Sequence, residues 1–132
     1  MPLERRRGDD PAEWLRRAKS NLVRAKEDIR LPEVAKEDLC FDAQQAAEKA
    51  IKAVLIHLGI RFPYIHDLGA LLVLIEERGQ ALPPQIKEAA RLTRFAVETR
   101  YPSHDELVTL EEYERAVAIA ETVFRWAKGQ IG

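Results

Sequence analysis

The chain has 132 residues, 46% hydrophobic and 33% charged, and its 21 Lys and Arg against 22 Asp and Glu give a formal net charge of -1. That length accommodates one compact core and argues against two domains, while the balanced charge excludes a whole-molecule pull on nucleic acid or anionic membrane, so any anion site must be local. Cys40 is the only cysteine, which excludes an intrachain disulfide and a cysteine-based zinc site; with no apolar run behind the basic start MPLERRRGDD, the expectation is a cytoplasmic protein without secretory leader or membrane span.

Residues 1–9 read as a flexible basic tail carrying Arg5, Arg6 and Arg7, and residues 10–132 as the domain. Asp10, Pro11 and Glu13 supply an N-cap, a proline tolerated at the first helical position and a capping-box acid. Trp14, Leu15, Ala18, Leu22, Ala25 and Ile29 then recur at helical spacing up to Pro32. A second helix is predicted from about Glu37 to Leu58, stopped by Gly59, with Cys40, Ala43, Ala47, Ala50, Ile51, Val54 and Leu58 as its apolar stripe. Asp67 caps a short helix that ends at Gly79. Pro83 and Pro84 open a fourth, in which Ile86, Ala89, Ala90, Thr93 and Val97 share a face, and Pro102 closes it near Arg100. Thr109 and Glu112 form a capping box ahead of a long last helix with Leu110, Tyr113, Val117, Ala120, Phe124 and Ile131 along one side. No stretch alternates with period two. The predicted fold is all-α, an antiparallel four-helix up-down bundle with an additional short helix.

On the second helix, Phe41, Gln45, Glu48, Lys49, Lys52 and Ile56 fall opposite the apolar stripe. Glu48 and Lys52 have the order of a surface ion pair, which suits a solvated face. Phe41 and Ile56 bracket it with apolar surface, which suits a dimer or partner interface made by Phe41, Gln45, Lys49, Lys52 and Ile56. On the fourth helix Lys87, Arg91 and Arg94 share an α-helical face that leads past Glu98 to Arg100. It is either a phosphate track or a soluble surface with an Arg94–Glu98 pair. His57, His66 and His104 have no metal-site spacing, so no metal is expected and no cofactor is implied; His66 reads as the residue before a cap, packing its ring and bonding backbone.

The segment Thr99-Arg-Tyr-Pro-Ser-His-Asp-Glu106 holds the densest chemistry. Arg100 offers a planar fork for a phosphate, and His104 a group that exchanges protons near neutrality. The same letters also make a structural turn, with Arg100 answering carbonyls at a helix end, Pro102 stopping the helix and Asp105 capping the next stretch of chain.

CFDAQQAAEKAIKAVLIHLGI at Cys40 to Ile60, HDLGALLVLI at His66 to Ile75 and FAVETRYPS at Phe95 to Ser103 together resemble the HEPN (higher eukaryotes and prokaryotes nucleotide-binding) family, in its RYP-type small prokaryotic form. The resemblance implies a small, generally dimeric helical bundle. It also implies a neighbouring minimal nucleotidyltransferase as partner, the pair forming a toxin–antitoxin or related two-component module. Several branches of the family are metal-independent ribonucleases that use an Arg followed by a His. Arg100 matches that Arg, but Tyr101 and Pro102 replace the polar neighbour and only three residues separate Arg100 from His104. By resemblance, Glu98, Arg100, Tyr101 and Asp105, with Arg91 and Arg94 before them, bind a nucleotide or RNA phosphate or contact the transferase. Two alternatives stand beside this: an endoribonuclease with Arg100 and His104 as its catalytic pair, and a homodimeric adaptor without catalysis.

Overall fold

The computed structural model describes residues 9–96 and 108–132. Its α-helices are α1 (Pro11–Glu27), α2 (Lys36–His57), α3 (Leu68–Glu77), α4 (Pro84–Lys87) and α5 (Leu110–Ile131). A short 3-10 turn, Asp28–Arg30, extends α1, and a longer 3-10 helix, Glu88–Ala96, extends α4. No strand occurs among the described residues. The basic tail with Arg5, Arg6 and Arg7, and the segment with Glu98, Arg100, Tyr101, His104 and Asp105, lie outside them.

The capping residues act where the sequence puts them. Asp10 accepts from the Ala12 N–H at 3.0 Å with Pro11 just inside α1. Asp67 accepts from Ala70 at 3.1 Å at the start of α3. Thr109 and Glu112 exchange both bonds of a capping box, at 3.0 and 2.9 Å. Gly59 and Gly79, at φ +72 and +97, take the left-handed turns that end α2 and α3, a conformation other residues adopt only at a cost.

Cross-helix contacts fix the directions. Trp14 meets Lys52 and Arg24 meets Asp42, so α1 and α2 run antiparallel. Glu37 at the start of α2 accepts from Val108 just before α5, so these two run parallel. Arg94 faces Glu112 and Glu88 faces Arg115, which sets the α4 extension antiparallel to α5. The four long elements form an up-down bundle, with α3 against its side.

The middle of the bundle is α2. Thirteen of its 22 residues are buried, too many for one stripe, so it is enclosed on nearly every side. Ala46 and Ala53, outside the predicted stripe, let neighbours approach as closely as Ala43, Ala47 and Ala50 do. This corrects the expected solvated or partner face. Lys52 is 2% exposed and Glu48 4%, because α1 covers the first part of this side and the loop after α2 folds over the rest. Lys52 is therefore excluded from an outward interface, while Phe41, Gln45, Lys49 and Ile56 are half-buried within the chain itself.

A second correction concerns the fourth helix. Its α-helical part ends at Lys87, and from Glu88 the chain winds more tightly. Ile86, Ala89, Leu92 and Phe95 are buried at every third position, the period of a 3-10 helix, in which residues three apart eclipse. Thr93, placed in the α-helical stripe by sequence, turns to α3, where its hydroxyl accepts from the Leu68 N–H at 3.1 Å. Leu110, expected to be buried, is 53% exposed.

Candidate functional site

The tighter winding redistributes the basic residues. In a 3-10 helix each residue turns by about 120°, so Lys87 leaves the ridge of Arg91 and Arg94. Lys87 pairs with Glu76 of α3 at 2.9 Å. Glu88, Arg91 and Arg94 turn toward α5, where a cavity of about 370 Å³ is lined by Arg91, Leu92, Arg94, Phe95, Glu112, Arg115, Ala116 and Ile119.

Three guanidinium groups and one carboxylate share this corner, on a floor of apolar side chains. The Arg94 guanidinium lies 4.7 Å from the centre of the Phe95 ring, so its plane is positioned by packing as well as by charge. Its Nη1 is 3.8 Å from Oε2 of Glu112, and Nη1 of Arg115 is 3.9 Å from Oε1 of Glu88. Both separations exceed hydrogen-bond length. Exposed pairs this loose contribute at most about 1 kcal/mol, so a phosphate that offers bidentate acceptors can displace them.

Of the predicted ligand-binding residues, Arg91 and Arg94 are among those described, and they stand together. Glu98, Arg100, Tyr101 and Asp105, and the catalytic pair Arg100 and His104, lie outside the described residues. Arg115 was not singled out from sequence, and Glu112 was read there only as the acid of the capping box. The capping box fixes the phase of α5, but nothing local says which of its faces meets the 3-10 helix. A larger groove of about 790 Å³ adjoins the corner across Arg115 and Ile119. Glu88, Glu111 and Glu114 line it, and their charge repels phosphate.

The predicted interface residues sit in a different setting. Lys49 donates to Asn21 at 2.7 Å and Asn21 donates to Asp42 at 2.9 Å, while Arg24 also reaches Asp42 at 2.8 Å. Burial, joined by the Arg17 and Arg24 charges, lowers the Lys49 ammonium below its usual range. Deeper in, Glu48 accepts from Lys52 and Gln44 at 2.8 Å each and lies 3.0 Å from Nδ1 of His66. Burial pushes the Glu48 carboxyl up, but the bonds from Lys52, Gln44 and His66 outweigh it and hold the group below its ordinary value. Three rings, Trp14, Phe62 and Tyr64, surround the Lys52 ammonium at 5.4 to 5.9 Å. His66 thus bonds a buried carboxylate where sequence suggested backbone. Burial and the nearby Glu37 charge push the Cys40 thiol up to about 12, which leaves it unreactive. Among the described residues no group of His, Cys, Asp and Glu is placed to hold a metal ion, and no helix is long and apolar enough to cross a membrane.

The HEPN domain model matches residues 11–130, from the first residue of α1 to the last turn of α5. The chain belongs to the HEPN domain family. Two solved structures are similar to it throughout. One is that of ST0689, an archaeal HEPN homologue, at 27% identity and a TM-score of 0.75, covering 93% of this chain and 98% of that one. The other is TT1696 from Thermus thermophilus, at 29% identity and a TM-score of 0.77, covering 91% of this chain and 97% of that one. No protein of curated function matches the sequence.

Proposed function

We propose that the protein binds nucleotide or RNA phosphate at the arginine corner and acts as the binding member of a module with a minimal nucleotidyltransferase. The observation that carries this is the convergence of Arg91, Arg94 and Arg115 on one cavity, with Glu112 3.8 Å from Arg94 and Glu88 3.9 Å from Arg115. In sequence, the chain that carries Arg91 and Arg94 continues to Arg100, which the family resemblance adds to this proposal. Family membership supports the ligand class. The transferase partner rests on the RYP-type resemblance. A homodimer, implied by the same family resemblance, belongs to the same proposal.

Titration of labelled RNA and of ATP into wild type, Arg94→Lys and Arg100→Lys tests it. Each lysine keeps the charge but loses the planar fork, so affinity is expected to fall by about 1 to 3 kcal/mol per direct contact, with unchanged circular dichroism. Curves superimposable on wild type at matched salt would assign both arginines to structure.

A further inference from the structure

The loop between α2 and α3 reads Arg61-Phe-Pro-Tyr-Ile-His66, and it carries two rings at the surface, Tyr64 with the Lys52 ammonium 5.4 Å from its centre and His66 bonded to Glu48, each leaving ring surface exposed. Tyr64 is 90% exposed, against 53% for Leu110, the next large hydrophobic residue among those described. The display does not come from slack chain. Phe62 and Ile65 pack on the core, and the Ile65 N–H donates to the Pro63 carbonyl at 3.0 Å, closing a tight turn around Tyr64. His66 is tied to Glu48 immediately afterwards. A ring held outward on a pinned loop loses little conformational freedom when a flat partner stacks on it.

The bond to Glu48 also decides the chemistry of His66. An ionised carboxylate only accepts, so the proton between the two groups belongs to Nδ1, and in the neutral ring Nε2 keeps its lone pair. Half of the His66 side chain is exposed, and among the described residues its one polar partner is Glu48, at Nδ1. The Tyr64 and His66 ring centres are 5.9 Å apart and tilted by 58°. One nucleotide is large enough to cover Tyr64 with its base and bring its sugar to Nε2. A lone-pair acceptor there selects ribose, because the 2'-hydroxyl has a proton to donate and deoxyribose has none.

We infer that this loop is a second contact for single-stranded RNA, with a base stacked on Tyr64 and a ribose 2'-hydroxyl donating to Nε2 of His66. Glu48 is the positioning residue that holds the imidazole in the accepting tautomer, and exposed Arg61 lies in the same loop to meet the backbone. The inference rests on the RNA reading of the arginine corner. It adds a contact on the neighbouring loop: Leu68, two residues after His66, donates its N–H to the Thr93 hydroxyl, one residue before Arg94 of the corner.

The experiment is fluorescence anisotropy with labelled RNA and DNA of one sequence, about ten nucleotides long. It uses wild type, Tyr64→Ala, Tyr64→Trp, His66→Asn and Arg94→Ala. Wild type is expected to prefer RNA. Tyr64→Ala should weaken RNA binding about tenfold, and Tyr64→Trp should retain it. His66→Asn keeps an N–H for Glu48 but has no ring nitrogen at the Nε2 position, so its RNA affinity should drop to that for DNA. Nitrogen-15 NMR of wild type should find the His66 proton on Nδ1 at pH 8; a proton on Nε2 overturns the inference without any variant. If wild type binds RNA and DNA alike while Arg94→Ala loses both, the loop contact is refuted and the arginine corner stands. If wild type binds no RNA, both fall.

Discussion

At the scale of single residues, the burial of Glu48 and Lys52 is what the fold adds to the sequence. Their spacing of four residues is the pattern of a helical surface pair, and neither letter carries a sign that α1 and the following loop will close over it. The cost of removing both charges from water is offset by the bonds from Gln44 and His66 and by the three rings around the ammonium. Glu48→Leu alone should lose about 3 to 5 kcal/mol in urea unfolding, because it strands the Lys52 charge. Adding Lys52→Met should recover at least about 1 kcal/mol, since the stranded charge is then gone. A further loss on adding the second substitution would contradict a coupled buried pair. The pH dependence has a definite sign. The folded Glu48 carboxyl lies below its ordinary 4.5, so on acidification the unfolded chain binds the proton first. Its contribution is full above that value and disappears as the pH falls through the lower, folded value. Wild type should therefore lose stability below about pH 4.5 more steeply than the Glu48→Leu, Lys52→Met double variant. Parallel profiles would contradict this.

At the scale of elements, helix boundaries were legible wherever a local rule sets them. Asp10 with Pro11, Asp67, Gly59, Gly79 and Thr109 with Glu112 each act through atoms within a few residues, and each lies where sequence put it. The features that were not legible depend on neighbours. The 3-10 winding after Lys87 places Leu92 and Phe95 against α2 and α5, and Thr93 against Leu68, whereas an α-helical period puts Ala90 and Thr93 inward. In hindsight the signal was the run Ile86, Ala89, Leu92, Phe95 at strict intervals of three, but a four-residue coincidence cannot outvote the α-helical default without the packing. The two periods differ in a measurable way. Leu92→Ala should cost about 2 to 5 kcal/mol and Ala90→Ser less than about 0.5 in urea unfolding. Equal effects would favour the α-helical register.

At the scale of the whole molecule, a net charge of -1 and an arginine corner are compatible because opposite charges are sorted into adjacent regions. Arg91, Arg94 and Arg115 face one cavity, while Glu88, Glu111 and Glu114 line the groove beside it. Arg115 borders both. An anionic ligand approaching this end meets attraction at the corner and repulsion next to it, which orients it without any excess of positive charge overall. Half of this site was legible. Arg91, Arg94 and Arg100 announce a basic stretch along the chain, but the contribution of α5 exists only through the antiparallel packing that brings Arg115 to Glu88. The measurement that tests the central claim most directly is the salt dependence of RNA affinity for wild type and for the Arg91→Ala, Arg94→Ala, Arg115→Ala triple variant. If the corner neutralises phosphates, the slope of log K against log salt should shrink by about 0.7 for each arginine that contacts one, with weaker binding throughout. An unchanged slope and affinity in the triple variant, with the fold intact, would contradict it.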